Sequence, residues 1–172
     1  MAVLDRALHH LARASGAASA AALAAIGLVI AAQIVARLAG RQIPAADDFA
    51  AWAMAASAFL ALPYAMRHGD HIRVTLVLQF LPKRWERGYE LLASAIGTLL
   101  AGWAAWHTLQ FVYDSWQYEE VAQGLLRVPL WIPQLSMALG LLLLALMLAE
   151  RLWCGLRGQP LSDAGVETAR TE

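Results

Sequence analysis

The segment YAMRHGDHIRV, residues 64–74, concentrates the side chains whose types and spacing suggest chemistry: Arg67, His68, Asp70, His71 and Arg73. The aspartate is a candidate for one half of an acid pair with Asp114, and the histidines are candidate axial ligands of a haem. An apolar run, 72–81, follows the cluster and ends at Pro82. At roughly 1.5 Å of rise per residue, this run is too short to cross a hydrocarbon core of about 30 Å.

The elements that carry these residues follow from composition. The chain of 172 residues is 60% hydrophobic and 15% charged, with mean hydropathy +0.52, which leaves too little polar surface to cover a soluble core. Backbone groups in lipid must be hydrogen-bonded within their own segment, so long apolar stretches predict helices. Four stretches are long enough to span a bilayer, at about 15–38, 49–66, 91–112 and 130–148. The first exceeds the apolar core of a cleavable signal peptide, so we expect it to be retained.

Lysine and arginine are distributed unevenly between the connections. If the N-terminus is cytoplasmic, ten of the 13 Lys and Arg residues lie on the cytoplasmic side, and only Arg37, Arg41 and Arg127 lie outside. This positive-inside bias predicts that both termini are cytoplasmic. The charged cluster then belongs to the cytoplasmic connection between the second and third spans.

The run 72–81 is predicted to be a short helix along the cytoplasmic interface, where Lys83, Arg84 and Arg87 meet the anionic lipid surface. Its amphipathic pattern is imperfect, because Arg73 falls away from Thr75 and Gln79 on the helical wheel. A short strand is the alternative, since residues 72–76 alternate, but its edges would be unsatisfied at a membrane surface. The predicted fold class is an all-α membrane protein with four transmembrane helices and this interfacial helix between helices 2 and 3.

The topology excludes most of the candidate chemistry. Asp70 and Asp114 fall on opposite sides of the membrane and cannot share a water, and no HExxH, GxSxG or P-loop motif occurs, so we expect no enzymatic activity. His107 lies roughly 30 Å along its helix from the cytoplasmic histidines, although haem ligation within the cytoplasmic group stays open. Cys154 is the single cysteine, and no Cys/His cluster has metal-ligand spacing, so no metal or cofactor is expected. A net charge of +0 gives no reason to expect a nucleic-acid partner.

The predicted spans offer little to a solute. Ionisable side chains at bilayer depth mark substrate and ion pathways. Spans one, two and four carry no Asp, Glu, Lys or Arg between their ends, and span three offers only His107 and Gln110. The chain is therefore poorly equipped to carry a solute alone. Pairs of small residues four apart suit close helix packing: Gly27 with Ala31, Ala93 with Gly97, and Thr98 with Gly102.

Several of these features occur together in a known family. Asp48 opens the second span near Trp52, FLALPYAMRHGDHIRVTLVLQFLP occupies residues 59–82, and VPLWIPQLSMALG begins the fourth span. In these features the chain resembles the DctQ-like small membrane subunit of tripartite ATP-independent periplasmic (TRAP) transporters, over about residues 5–155. The most specific part is 67–74, which matches the family's pattern of an arginine, a His-Ile pair and a following valine. Family members often carry Glu where Asp48 stands and Asp where Thr75 stands.

The resemblance implies a bacterial inner-membrane complex with a large permease subunit and a periplasmic binding protein. Uptake of an organic acid would be driven by sodium, and the small subunit would be part of the static scaffold. The solute and the coupling stoichiometry stay open, because recognition belongs to the other two subunits. The resemblance also implies contacts with partner or membrane lipid for a set of five residues: Asp48, Trp52, Arg67, His71 and Arg73.

Residues 1–155 are predicted to form the four-helix domain, and residues 156–172 a disordered polar tail. Two other function classes stay open at this point. One is a stand-alone four-helix membrane adaptor, and the other is a haem-carrying membrane anchor.

Overall fold

The computed structural model describes residues 2–67, 83–124 and 126–157. They form four helices: α1 (Ala2–Leu38), α2 (Ala46–Arg67), α3 (Lys83–Gln117) and α4 (Trp131–Leu156). A single antiparallel bridge, between Val121 and Pro129, joins the two sides of the described α3–α4 loop. The all-helical prediction is confirmed for the described residues. The predicted interfacial helix at 72–81 lies outside them, as does nearly all of the predicted tail.

Three of the helices are long and apolar enough to cross a membrane: α1 from Arg6 onward, α2 and α4. Helix α3 is not among them, although its 35 residues extend over roughly 52 Å. Tryptophan, histidine and glutamine side chains in its second half lower its hydropathy. Helices α1 and α3 also begin well before the predicted spans, because apolarity marks only a membrane-buried part whereas backbone hydrogen bonding continues through charged residues.

The helices lie side by side in the order α1, α2, α4, α3. Helix α1 packs against α2, α2 against α4, and α4 against α3, so that α2 and α4 are central and α1 and α3 flank them. The contacts described below make each flanking helix antiparallel to its neighbour and make α2 parallel to α4. The molecule is thus two antiparallel helix pairs joined through their second helices. The start of α1 and the end of α4 consequently lie at the same end.

The α1–α2 contact follows a repeat of alternating three- and four-residue steps along α1. Such a 3.5-residue repeat keeps one face of a helix against its neighbour. Two serine hydroxyls on this face donate across the contact: Ser15 Oγ to the Leu60 carbonyl at 2.6 Å, and Ser19 Oγ to the Ser57 carbonyl at 2.8 Å. The α1 residues of the repeat are buried or half-buried: Leu8, Ala12, Ser15, Ser19, Ala22, Ile26, Val29, Gln33 and Ala36.

The central α2–α4 contact is closest where Gly140 meets Phe59. A side chain at Gly140 would overlap the backbone carbonyl of Phe59, so only glycine allows this approach. Pro63, fully buried in α2, has no N–H to donate to that carbonyl four residues earlier. The Phe59 oxygen is therefore available to the Cα–H of Gly140, a weak hydrogen bond of the kind found at helix contacts.

Helix α3 packs on α4 through small and hydroxylated side chains. Ala101, Ala105 and Val112 are buried on this face, and Gly97 lies within van der Waals distance of Leu148. Gly27 and Gly102, which the sequence suggested as close-packing positions, face open space. Of the three predicted small-residue pairs, one therefore includes a glycine at a helix contact, whereas the tightest contact, at Gly140, was not predicted.

Helix α1 ends in a Schellman motif, in which a residue in the left-handed conformation closes the last turn. Gly40 has φ +71°, its N–H donates to the Arg37 carbonyl at 3.1 Å, and the Arg41 N–H donates to the Ala36 carbonyl at 2.9 Å. The motif fixes the backbone of Arg41 and turns the following residues back over the helix.

Candidate functional site

Arg67, the first residue of the charged cluster, is the last residue of α2. Its Nη2 donates to Oε2 of Glu150 on α4 at 2.7 Å, and both side chains are 18% exposed. A charge-assisted hydrogen bond at this distance is stronger than a neutral one. The pair joins the ends of the two central helices, because those helices run in the same direction.

The pair changes the interpretation of Arg67. The sequence predicted that its guanidinium contacts a partner or lipid, whereas in the structure an acceptor within the same chain occupies part of it. Glu150 was missed because it follows the fourth predicted span and resembled an ordinary charged end. The sequence did contain a signal for the pair. Arg67 and Glu150 are the first charged residues after the second and the fourth predicted spans, and these two spans run in the same direction.

Asp48 and Trp52 lie towards the opposite end of α2, roughly 28 Å and 22 Å from Arg67 along the helix axis. The half-buried Asp48 carboxylate lies directly against Gly124 of the α3–α4 loop. The ring of Trp52 is half-buried and packs edge-on against Phe49, with centroids 5.2 Å apart. Carboxylates in the first turn of a helix are favoured by its dipole, and Asp47 and Asp48 both occupy that turn.

The structure therefore does not bring the five predicted contact residues together. Asp48 and Trp52 share one end, and Arg67 lies at the other. His71 and Arg73 lie outside the described residues.

The loop facing Asp48 is tied to the end of α3. Ser115, 1% exposed, donates its hydroxyl to Oε2 of Glu120 at 2.7 Å. The carbonyl of Glu120 accepts from the Leu130 N–H at 2.9 Å, and Ala122 donates to the Val128 carbonyl at the same distance. These bonds hold Gly124 where the α2 carboxylate packs on it.

The outward face of α3 carries exposed aromatic rings. Trp103, Trp106, Tyr113 and Trp116 are each more than half exposed, and Trp103 packs edge-on against His107 with centroids 4.7 Å apart. His107 is therefore stacked at the surface of the bundle. Among the described residues, no group of three or more His, Cys, Asp or Glu side chains is arranged to hold a metal ion.

A protein-family model supplies the decisive comparison. The model, described as the DctQ component of tripartite ATP-independent periplasmic transporters, matches residues 26–158. This chain belongs to the DctQ family. Comparison with curated proteins and with solved structures gave no match.

The DctQ match includes the last third of α1 and all of α2, α3 and α4. Both residues of the Arg67–Glu150 pair, the Asp48–Gly124 contact and the Gly140 crossing lie inside it. The chain is thus the small membrane component of a TRAP transporter, a family of transport components and not of enzymes. The resemblance drawn from the sequence is confirmed.

Proposed function

We propose that this DctQ chain is the scaffold partner of a large permease that takes up an organic acid by sodium coupling, after delivery by a periplasmic binding protein. One observation carries the proposal: each described helix contains a central stretch, long enough to cross a membrane, that holds no Asp, Glu, Lys or Arg. The charge-free stretches are 14–36, 49–66, 91–113 and 131–149. Without such groups at depth the chain offers no ion or carboxylate pathway, so transport falls to the large subunit.

The fastening of the helices supports a static role. Hydroxyl hydrogen bonds join α1 to α2, the Gly140 crossing joins α2 to α4, and an ion pair closes one end of that central contact. The loop packed on Asp48 closes the other end. A subunit held at its middle and at both ends suits the part of a transporter that stays fixed while its partner moves.

The arginines support an inner-membrane orientation with both termini cytoplasmic. Arg13, Arg67 and Arg157 fall at one end of the bundle, and Arg37 and Arg127 fall at the other. In this proposal α3 also crosses the membrane, as the third of four spans; 72–81 would lie along the cytoplasmic interface, and 156–172 would form a disordered tail. Reporter fusions after Arg157 should read cytoplasmic, and a fusion after Glu119 periplasmic. A periplasmic signal after Arg157 would overturn the orientation.

The contact residues follow from this orientation. At the cytoplasmic end, Arg67, His71 and Arg73 would contact carboxylates of the large subunit or lipid phosphates. At the periplasmic end, Asp48 and Trp52 would also contact the large subunit or lipid, with the Asp48 carboxylate accepting from a donor or cationic group. Glu150 orients the Arg67 guanidinium in either case.

The test is reconstitution with and without the large subunit. Proteoliposomes that hold the pair, supplied with binding protein and substrate, should accumulate the organic acid under an inward sodium gradient. Proteoliposomes that hold this chain alone should not. Sodium-driven accumulation by the isolated chain would contradict the scaffold role, and failure to co-purify with the large subunit would contradict the partnership.

A further inference from the structure

An apolar groove of 740 Å³ lies where the last turns of α1 meet the loop that follows. It is lined by alanines of α1, among them Ala32, Ala36 and Ala39, and by Ile43 and Pro44 of the loop. The groove flanks the α1–α2 contact: Ala36 belongs to both, whereas Leu28 and Val35 are exposed.

One cation lines this groove. Arg41 is exposed, and in the described part of the chain no carboxylate pairs with it. The Schellman motif holds its backbone at the mouth, next to Gln42, whose amide is a second donor. A guanidinium and an amide can donate to a phosphate, and the apolar groove beside them can hold an alkyl chain attached to it.

We infer that this groove binds one anionic glycerophospholipid, with its phosphate on Arg41 and an acyl chain along the alanines of α1. The inference rests on the membrane placement of the proposed function. If α1 spans the bilayer, Arg41 lies just beyond the span at the level where lipid phosphates lie. A net-negative headgroup fits because no carboxylate among the lining residues could bind an ammonium group.

The loop favours a lipid over a transmembrane helix of the large subunit. Residues 41–44 line the groove just beyond the end of α1, so a helix about 10 Å wide lying along α1 would meet them there. A lipid, in contrast, would place its acyl chain along α1 and its headgroup at the level of residues 41–44. Free phosphate is also disfavoured, because it has no acyl chain and would leave the apolar groove unfilled.

The test is native mass spectrometry of the full-length chain in detergent with added phosphatidylglycerol or phosphatidylcholine. We expect a phosphatidylglycerol adduct that survives activation better than the phosphatidylcholine adduct, and at least roughly tenfold weaker retention in Arg41→Gln. Arg37→Gln is the matched control, because Arg37 is exposed one turn earlier and does not line the groove. It should retain the lipid.

A second variant probes the chain site. Ala32→Phe fills the groove at an exposed position outside the α1–α2 contact and leaves Arg41 in place. It should also lower retention, with unchanged tryptophan emission as the check on folding. Glycerophosphoglycerol and inorganic phosphate, which lack acyl chains, should not bind at the same concentration. Equal loss in both arginine variants, or binding of the chain-free phosphates, would overturn the proposal.

The same measurement on the complex with the large subunit separates the two occupants. A phosphatidylglycerol adduct that persists in the complex supports the lipid site. An adduct seen on the isolated chain and absent from the complex would mean that the large subunit covers the groove, which overturns it. Because the lipid readout on the isolated chain needs no transport, it can fail independently of the scaffold proposal.

Discussion

The two flanking helices have similar lengths and equivalent places beside the central pair, yet they are fastened differently. On α1, Ser15 and Ser19 donate across the contact to carbonyls of α2. On α3, the hydroxyls of Thr98 and Thr108 donate to carbonyls four residues earlier in the same helix, at 2.7 and 2.8 Å. Helix α1 is therefore held by directional bonds, whereas α3 is held by the fit of small side chains against α4.

The outward faces differ in the same way. The face of α1 is aliphatic and contains the Arg41 groove, whereas that of α3 is lined with tryptophan and tyrosine. Aromatic rings with polar tips suit membrane interfaces and protein contacts, and saturated side chains suit lipid tails. Two helices of similar length thus carry two kinds of surface. Of the two, α3 is the better candidate for contact with a large subunit.

The largest effect is expected at the central contact, on which both flanking helices depend. Gly140→Leu would drive a side chain into the Phe59 backbone and separate α2 from α4, lowering stability by about 3 kcal/mol or more. Gly102→Leu on α3 is the matched control, since its site is open. Thermal unfolding in detergent, followed by circular dichroism, should show a large drop in Tm for the first variant only. Equal Tm values would mean that the crossing is looser than described.

The ion pair comes next. Arg67→Ala and Glu150→Ala each remove one charge-assisted bond that is partly buried, so each should cost about 1.5–3 kcal/mol of stability. The charge swap Arg67→Glu with Glu150→Arg should recover part of that loss. A swap no more stable than either single variant would show that the pair does not fasten α2 to α4.

Co-purification with the large subunit uses the same variants to separate two roles of Arg67. If Arg67 also contacts a partner, Arg67→Ala should weaken association more than Glu150→Ala, which leaves the guanidinium in place. Equal weakening would assign Arg67 to the internal pair alone.

The difference between the flanking helices is tested directly by their hydroxyls. Ser15→Ala with Ser19→Ala removes two bonds between helices and should cost about 1 kcal/mol in total, since such bonds average about 0.6 kcal/mol each in membranes. Thr98→Val with Thr108→Val keeps the shape and removes bonds within one helix, so its cost should be under about 0.5 kcal/mol. If the two double variants lose equal stability in unfolding measurements, α1 and α3 are not held in different ways.

The smallest effect is expected where the α3–α4 loop meets α2. Gly124→Ala places a methyl group against the Asp48 carboxylate, which can rotate away, so the loss should stay below about 1 kcal/mol. Asp48→Ala should relieve it, giving a non-additive double-variant cycle. Additive losses would show that the two side chains do not touch.

Much of the fold could be predicted, because the length of each apolar stretch and the positions of Lys and Arg around it are visible in one segment of the sequence. The four helices, their alternating directions and the family all followed from the sequence. The order α1, α2, α4, α3 did not, since it depends on contacts between distant segments. The tight crossing is an example: Ser136 lies four residues before Gly140, but this spacing does not reveal that Phe59 and Pro63 on another helix are what Gly140 meets.

The candidate site was harder to predict than the fold. Arg67 was predicted to contact a partner or lipid, which stays a prediction, whereas its acceptor in the structure, Glu150, lies 83 residues away in the same chain. Sequence spacing carries no information on such a pair until α2 and α4 are known to be parallel neighbours. Asp48 and Trp52 were placed correctly at the start of α2, whereas the loop glycine against Asp48 gave no signal.

The parallel central contact also sets an order of assembly. Each antiparallel pair consists of helices adjacent in the chain, so α1 with α2 can form while the ribosome is still making the rest. The two pairs can join only after α4 emerges. At roughly 5–20 residues per second, Arg67 waits about 4–17 s for Glu150 across the 83 residues between them. During that interval the α1–α2 pair must hold together by its own contacts, because the ion pair that joins it to α4 cannot yet form.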